Sequence, residues 1–137
     1  MGSVQLMTKF IEDLFVLLKT GAVIFHYSSS SHENQQDPNI MGAILSAVDT
    51  YSEQFSEGGV SSFQFVNKRL TFLRTHNAMM FVASTQIKTK PKKVIQFLND
   101  ISDDFFNLYT VESLDNWEGD VDFFKEFNKD LKIKFKI

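Results

Sequence analysis

The sequence predicts an α+β fold: a five-stranded antiparallel sheet with one helix on one face and two on the other, in the order β-β-α-β-β-β-α-α. Three observations carry this. Asp13 to Tyr27, DLFVLLKTGAVIFHY, reads as two apolar strands hinged on Lys19-Thr20-Gly21. Three short strand-like runs between Val60 and Ser84 are separated by turns too short for anything but antiparallel pairing. Three segments keep helical spacing, one after the hairpin and two after the last strand.

The chain in order supports each element. Val4 to Glu12 carries Val4, Met7, Phe10 and Ile11 near helical spacing, which fits a short helix or an irregular lead-in over residues 1–12. In the first strand Leu14, Val16 and Leu18 share one face and Phe15 and Leu17 the other, so both faces need cover. In the second, Val23 and Phe25 are expected on one side and Ala22, Ile24 and His26 on the other. A hairpin apolar on both faces is expected in the middle of the sheet, with Gly21 supplying the positive φ of a tight turn. Ser28 to Pro38 is polar throughout and reads as a solvated loop. Asp37-Pro38 is a helix start, and Ile40, Ile44, Val48, Tyr51 and Phe55 form the stripe of a helix of about four turns. Met41, Leu45 and Ala47 widen that stripe, and Glu57-Gly58-Gly59 ends the helix.

Val60 to Asn67 alternates, with Phe63 and Phe65 on one face, as an edge strand would. Lys68-Arg69 is read as the next turn, Leu70 to His76 as a strand, and His76-Asn77 as a turn. Ala78 to Ser84 is apolar apart from its final serine and belongs beside the hairpin. Gln86 to Lys93 is a basic connector, and Pro91 opens a helix that continues to about Tyr109 through Val94, Phe97, Leu98, Ile101, Phe105 and Leu108. Glu112 to Gly119 reads as an acidic loop around Trp117. Asp120 opens the last helix, with Phe123, Phe124, Phe127 and Leu131 on it; the tail 132–137 fits a helix end, a strand or a frayed terminus.

Composition narrows the class. The 137 residues suit a single domain with one core, and 15 Phe favour a large one. A net charge of -3 disfavours a nucleic-acid binder that depends on bulk positive charge. With no cysteine there is neither a disulfide framework nor thiolate chemistry. No apolar run nears the roughly 20 residues of a membrane helix, no basic segment marks a secretory signal, and Leu6 departs from the acylation pattern at Met1-Gly2-Ser3. A cytoplasmic location is expected.

The element order, headed by DLFVLLKTGAVIFHY, resembles a longin domain, nearest in flavour to the N-terminal domain of the signal-recognition-particle receptor alpha subunit. The segments DDFFNLY and DVDFFKEFNKDL resemble that family's closing helices. The resemblance covers about Asp13 to Leu131 and rests on apolar patterns, with no catalytic side chain in it. It implies a docking module of membrane traffic, protein targeting or small-GTPase regulation. Neither a SNARE-type heptad nor a GTPase domain follows, so the expectation is a stand-alone domain, of the kind expected in archaea related to eukaryotes.

No residue pattern points to catalysis. His26, His32 and His76 share no metal-ligand spacing, Asp103-Asp104 lie side by side on the polar face of a helix, and Ser28 to Ser31 lack a nucleophile elbow. No catalytic residue, metal ligand or cofactor is assigned. Two surfaces stand out instead. Ile40, Met41, Ile44, Phe63 and Phe65 are the candidates for partner binding: an edge strand offers backbone groups to another chain, methionine adapts its contacts, and the resemblance implies pairing through the first helix and its adjoining edge. Lys88, Lys90, Lys92 and Lys93 oppose the dipole at a helix start and are the candidates for contact with an anionic surface, an acidic partner or lipid head groups at a membrane periphery.

The function expected is therefore a non-catalytic interaction module. Its partner would be a small GTPase, another longin- or roadblock-like subunit, or a second copy in a homodimer, and no nucleic acid. A roadblock-type GTPase regulator is the alternative, and a small-ligand sensor or enzyme on a related sheet is another.

Overall fold

The computed structural model describes residues 9–29, 37–55, 61–75 and 78–135. Five strands, β1 (Asp13–Leu17), β2 (Val23–Ser28), β3 (Ser62–Gln64), β4 (Lys68–Arg74) and β5 (Met80–Gln86), form one antiparallel sheet in the order β2-β1-β5-β4-β3. Helix α1 (Pro38–Ser52) covers one face. Helices α2 (Pro91–Leu108) and α4 (Lys125–Phe135) cover the other. The short α3 (Val111–Asp115) and a 3-10 turn (Val121–Phe124) link them. The expected fold class is the one observed.

The faces of β1 divide as its alternation predicts. Leu14, Val16 and Leu18 join Phe81, Phe97, Leu98, Phe105 and Phe127 in the larger core. Phe15 and Leu17 join Leu45, Phe72, Met80 and Val82 in the smaller core under α1. The hairpin, however, is not central. β5 is the middle strand, β1 lies between it and β2, and β2 is the rim. Half-burial of β2 by the two helical layers supplies the apolar composition that suggests a central position.

The expected facing of β2 is also corrected. Val16 pairs with Phe25 but Leu17 pairs with Val23, which leaves Ile24 as a β-bulge. The extra residue breaks the period of two. Val23 therefore packs with the α1-side core, and Ile24 and Phe25 with the other. His26 keeps the α1 side, stacked on Phe15 at 4.5 Å between ring centres.

Boundaries shift for local reasons. Asp37 caps α1, accepting from Asn39 N at 2.9 Å. The helix stops at Ser52, ahead of the glycines, and residues 56–60 lie outside the described residues. Lys68 and Arg69 are not a turn but the start of β4. The reversal falls at Val66-Asn67, closed by Phe65 N donating to Lys68 O at 2.7 Å. Residues 1–8 of the expected lead-in, most of the Ser28–Pro38 loop and the His76-Asn77 turn lie outside the described residues; residues 9–12 are irregular, with Ile11 buried in the larger core. Glu112 to Gly119 is not loop throughout: the Thr110 hydroxyl accepts from Ser113 N at 3.0 Å and starts α3. The tail is helical to Phe135, whose ring stacks on Tyr27 at 4.0 Å.

One contact sets how closely α1 lies on the hairpin. A methyl at Gly42 would stand 2.4 Å from Val23 Cγ2 and 2.8 Å from Gly21 O. Gly21, with φ +92°, faces Ser46 of the next helical turn. In an open helix Gly→Ala gains about 1 kcal/mol. Here Gly42→Ala should instead lower stability by about 1–3 kcal/mol, since the added carbon has nowhere to go. Urea unfolding checks this, and Val23→Ala in the same chain should restore part of the loss.

His26 supplies a pH test. Burial lowers its pKa below the usual 6.5, outweighing the opposing pull of Asp13. Protonation is then easier in the unfolded chain. Its contribution to stability is complete above 6.5 and is lost as pH falls from there through the lowered value. His26→Phe should flatten that part of a stability–pH curve.

Candidate interaction surface

Helix α1 carries two apolar stripes, and the sheet takes only one. Met41, Gly42, Leu45 and Asp49 turn inward. Ile40, Ile44 and Tyr51 follow one another along the outer face, Phe55 continues them in the turn beyond the helix, and the four are 48–75% exposed. The stripe read from spacing is thus largely the solvent face. The apolar arc is too wide for periodicity to place its centre. Two residues decide the rotation: Gly42, which alone permits close approach to the hairpin, and Asp49, an acid buried to reach the sheet.

Asp49 and Glu53 both accept from the Arg74 guanidinium at the end of β4, the Glu53 contact being 3.3 Å. This pair ties the last turn of α1 across the sheet. Phe63 pairs across from Leu70, which belongs to the α1-side core, so Phe63 and its neighbour Phe65 face the same side as α1. Their rings lie 5.2 Å apart and both side chains are largely open to solvent. Val66 follows, 97% exposed. Among the described residues β3 is the last strand of the sheet on this side, with three exposed residues.

Of the five candidates for partner binding, the structure turns Ile40, Ile44, Phe63 and Phe65 outward on one side of the sheet. Met41 is half-buried against the inner core. Tyr51 and Phe55, of the same stripe but not among those candidates, add to the outer surface with rings 5.2 Å apart. The signal that could have separated the two stripes is Asp49, an acid on the opposite arc from Tyr51 with an arginine available in β4.

Lys88, Lys90, Lys92 and Lys93 are distributed along the connector into α2, with the last two on its first turn. Arg69 holds that connector, donating to Ile87 O and Thr89 O at 3.1 Å each. Lys93 lies 5.2 Å over the Phe10 ring. Lys88 borders an open recess of about 540 Å³ with Lys68, Glu12 and Gln86. Lys68 and Glu12 pair there at 3.3 Å, so the recess carries both signs. Among the described residues no group of three potential metal ligands converges, and no helix is long and apolar enough to cross a membrane.

Asp49 is 11% exposed and Arg74 26%. An Arg74→Met change leaves the carboxylate without its main partner. The expected cost is about 1–3 kcal/mol, between an exposed pair and a fully buried one. Amide exchange should show the loss concentrated in the last two turns of α1.

No protein-family model matches the sequence, and no curated protein matches it. Solved structures do. MglB of Myxococcus xanthus superimposes with a TM-score of 0.56 at 12% identity, over 79% of this chain and 89% of that one. An MglB described as having a tetrameric arrangement and the gliding protein MglB of Thermus thermophilus each give 0.51 at 9% identity, over 72% of this chain and 78% of theirs. At such identities the likeness is one of fold: the longin-like architecture is shown, and the nearer flavour of the signal-recognition-particle receptor is not.

Proposed function

We propose that this chain is a non-catalytic interaction module of the roadblock and longin type that docks and regulates a small GTPase, pairing through α1 and β3 with a second copy or a related subunit. The observation that carries the reading is the row of exposed Ile40, Ile44 and Tyr51 on α1, continued by Phe55 in the turn after it, on the same side of the sheet as Phe63 and Phe65 at the β3 edge. Large apolar side chains gathered on one surface mark a site for another protein. The tetrameric arrangement named for one MglB structure agrees with a fold suited to self-assembly. In this reading Lys88, Lys90, Lys92 and Lys93 offer the contact for an acidic partner surface.

The test is capture from a panel of small GTPases in both nucleotide states, read beside the solution mass. Capture of at least one GTPase and a dimeric mass are expected. Ile44→Glu and Phe65→Glu should each reduce pairing or capture by about tenfold or more. Their stability should change by no more than about 0.5 kcal/mol, because both side chains are solvent-exposed in the free protein. A monomer that captures no GTPase, with turnover of a metabolite, would retire the docking reading.

A further inference from the structure

Helices α1 and α2 open on the same kind of dipeptide, Asp37-Pro38 and Lys90-Pro91, and only the first is capped by its side chain. Asp37 accepts from Asn39 N, whereas Lys90 makes no side-chain cap bond and no acid stands in the first turn of α2. Lys90, Lys92 and Lys93 instead set positive charge against the positive end of the helix dipole. The seat below is incomplete as well. Only residues 87–90 separate β5 from α2, so the helix turns back over the strand and its start lies above the end of β5. Thr85, next to last in β5, shares a face with Phe81 and Ala83 of the larger core. Thr71 of β4 pairs with Ala83 and so stands diagonally beside Thr85 on that face. Thr85 is fully buried and Thr71 is 4% exposed, and neither hydroxyl has a hydrogen-bond partner. A buried hydroxyl without a partner costs free energy for as long as its cover stays in place.

We propose that the first turn of α2, residues 90–94, is a flap that lifts from Thr71 and Thr85 and is closed when an acidic surface of a partner protein meets its lysines. The structure bounds the motion on both sides. Upstream, Arg69 holds the connector through Ile87 O and Thr89 O. Downstream, Phe97 meets the ring of Phe135 at 6.1 Å, and Phe105 meets Phe81, Phe124 and Phe127. Of residues 90–96 only Val94 is buried, and Lys93 rests on a single ring, that of Phe10. Two conflicts therefore fall on one short span: charge against the dipole above, orphaned hydroxyls below. Local rules broken together in an otherwise consistent fold mark a functional segment. Carboxylates brought to the lysines supply the negative charge that this helix end lacks, and so favour the seated turn. The inference rests on the docking reading above only for the nature of the occupant.

Native-state amide exchange of the intact chain tests this at Ile95, Gln96 and Phe97, whose helical acceptors are the carbonyls of residues 91–93. Corrected for intrinsic rates, these amides should exchange about tenfold or more faster than those of Ile101 to Phe105. Thr85→Val keeps the shape, removes an orphaned hydroxyl and should slow them by about fivefold. Lys90→Asp supplies a cap and should slow them by about threefold or more. Polyglutamate is the probe for an acidic surface. It should slow the same amides by about threefold or more at low ionic strength, and not in a chain carrying Lys88→Gln, Lys92→Gln and Lys93→Gln. Equal protection along α2, unchanged or faster exchange in Thr85→Val, or no response to polyglutamate would overturn the proposal. So would protection by phosphatidylserine vesicles with none from polyglutamate, since the occupant would then be a membrane. A chain that shows the expected exchange pattern and captures no GTPase retires the docking reading alone.

Discussion

The structure depends on burying β1 and β5 on both faces. Leu14 and Val16 are closed off on one side, Phe15 and Leu17 on the other, and β5 is buried from Met80 to Thr85. Two such strands in mid-sheet cannot be served by one helical layer. The larger core recruits α2 and α4 through phenylalanine: Phe105 touches the rings of Phe81, Phe124 and Phe127, and Phe135 reaches back to Phe25 and Tyr27. Among the described residues the smaller core has α1 alone. Its tight seat over the hairpin follows from having no second helix to share the cover, and Gly42 is what permits that seat.

How much of this is legible in the sequence follows from which constraints are local. The strand alternation of β1, the Asp37-Pro38 start and the two closing helices are written in neighbouring residues, and each can be read there. The place of the hairpin in the sheet cannot. A strand half-covered by helices above and below has the same composition as a central one, and only the partner on its open side distinguishes them. The facing of Val23 escapes because a bulge at Ile24 has no mark in an all-apolar run. The rotation of α1 escapes because Ile40, Ile44, Tyr51 and Phe55 are as apolar as the residues that turn inward. For the candidate surface, the pattern supplies Ile40, Ile44, Phe63 and Phe65 but does not separate them from Met41, which turns inward. Tyr51 and Phe55 go unrecognised as outward residues for that reason.

The two rims divide the surface into chemically different edges. β3 is short, open and flanked by exposed aromatic and aliphatic side chains, which suits association driven by apolar burial. β2 is longer and lies half-buried between the helical layers, beside Asn39, Asn128 and Lys132. A free edge invites unselected pairing unless something restricts it. The bulge at Ile24 is such a restriction on β2, while brevity is the restriction on β3.

The exposed stripe on α1 gains from the way the helix is held. Near its start Gly42 locks against Gly21 and Val23, and at its end Asp49 and Glu53 are tied to Arg74. Ile44 stands between those anchors, with Ile40 and Tyr51 within a turn of them. A partner meeting this surface finds the helix backbone already fixed, so ordering it adds little to the cost of association. The same anchors run through the sheet: Gly21 turns the β1–β2 hairpin and Arg74 ends β4. Pressure on the outer face of α1 is therefore borne at two separate points of the sheet, one next to each rim. That arrangement holds both ends of a helix that otherwise packs on the smaller core alone.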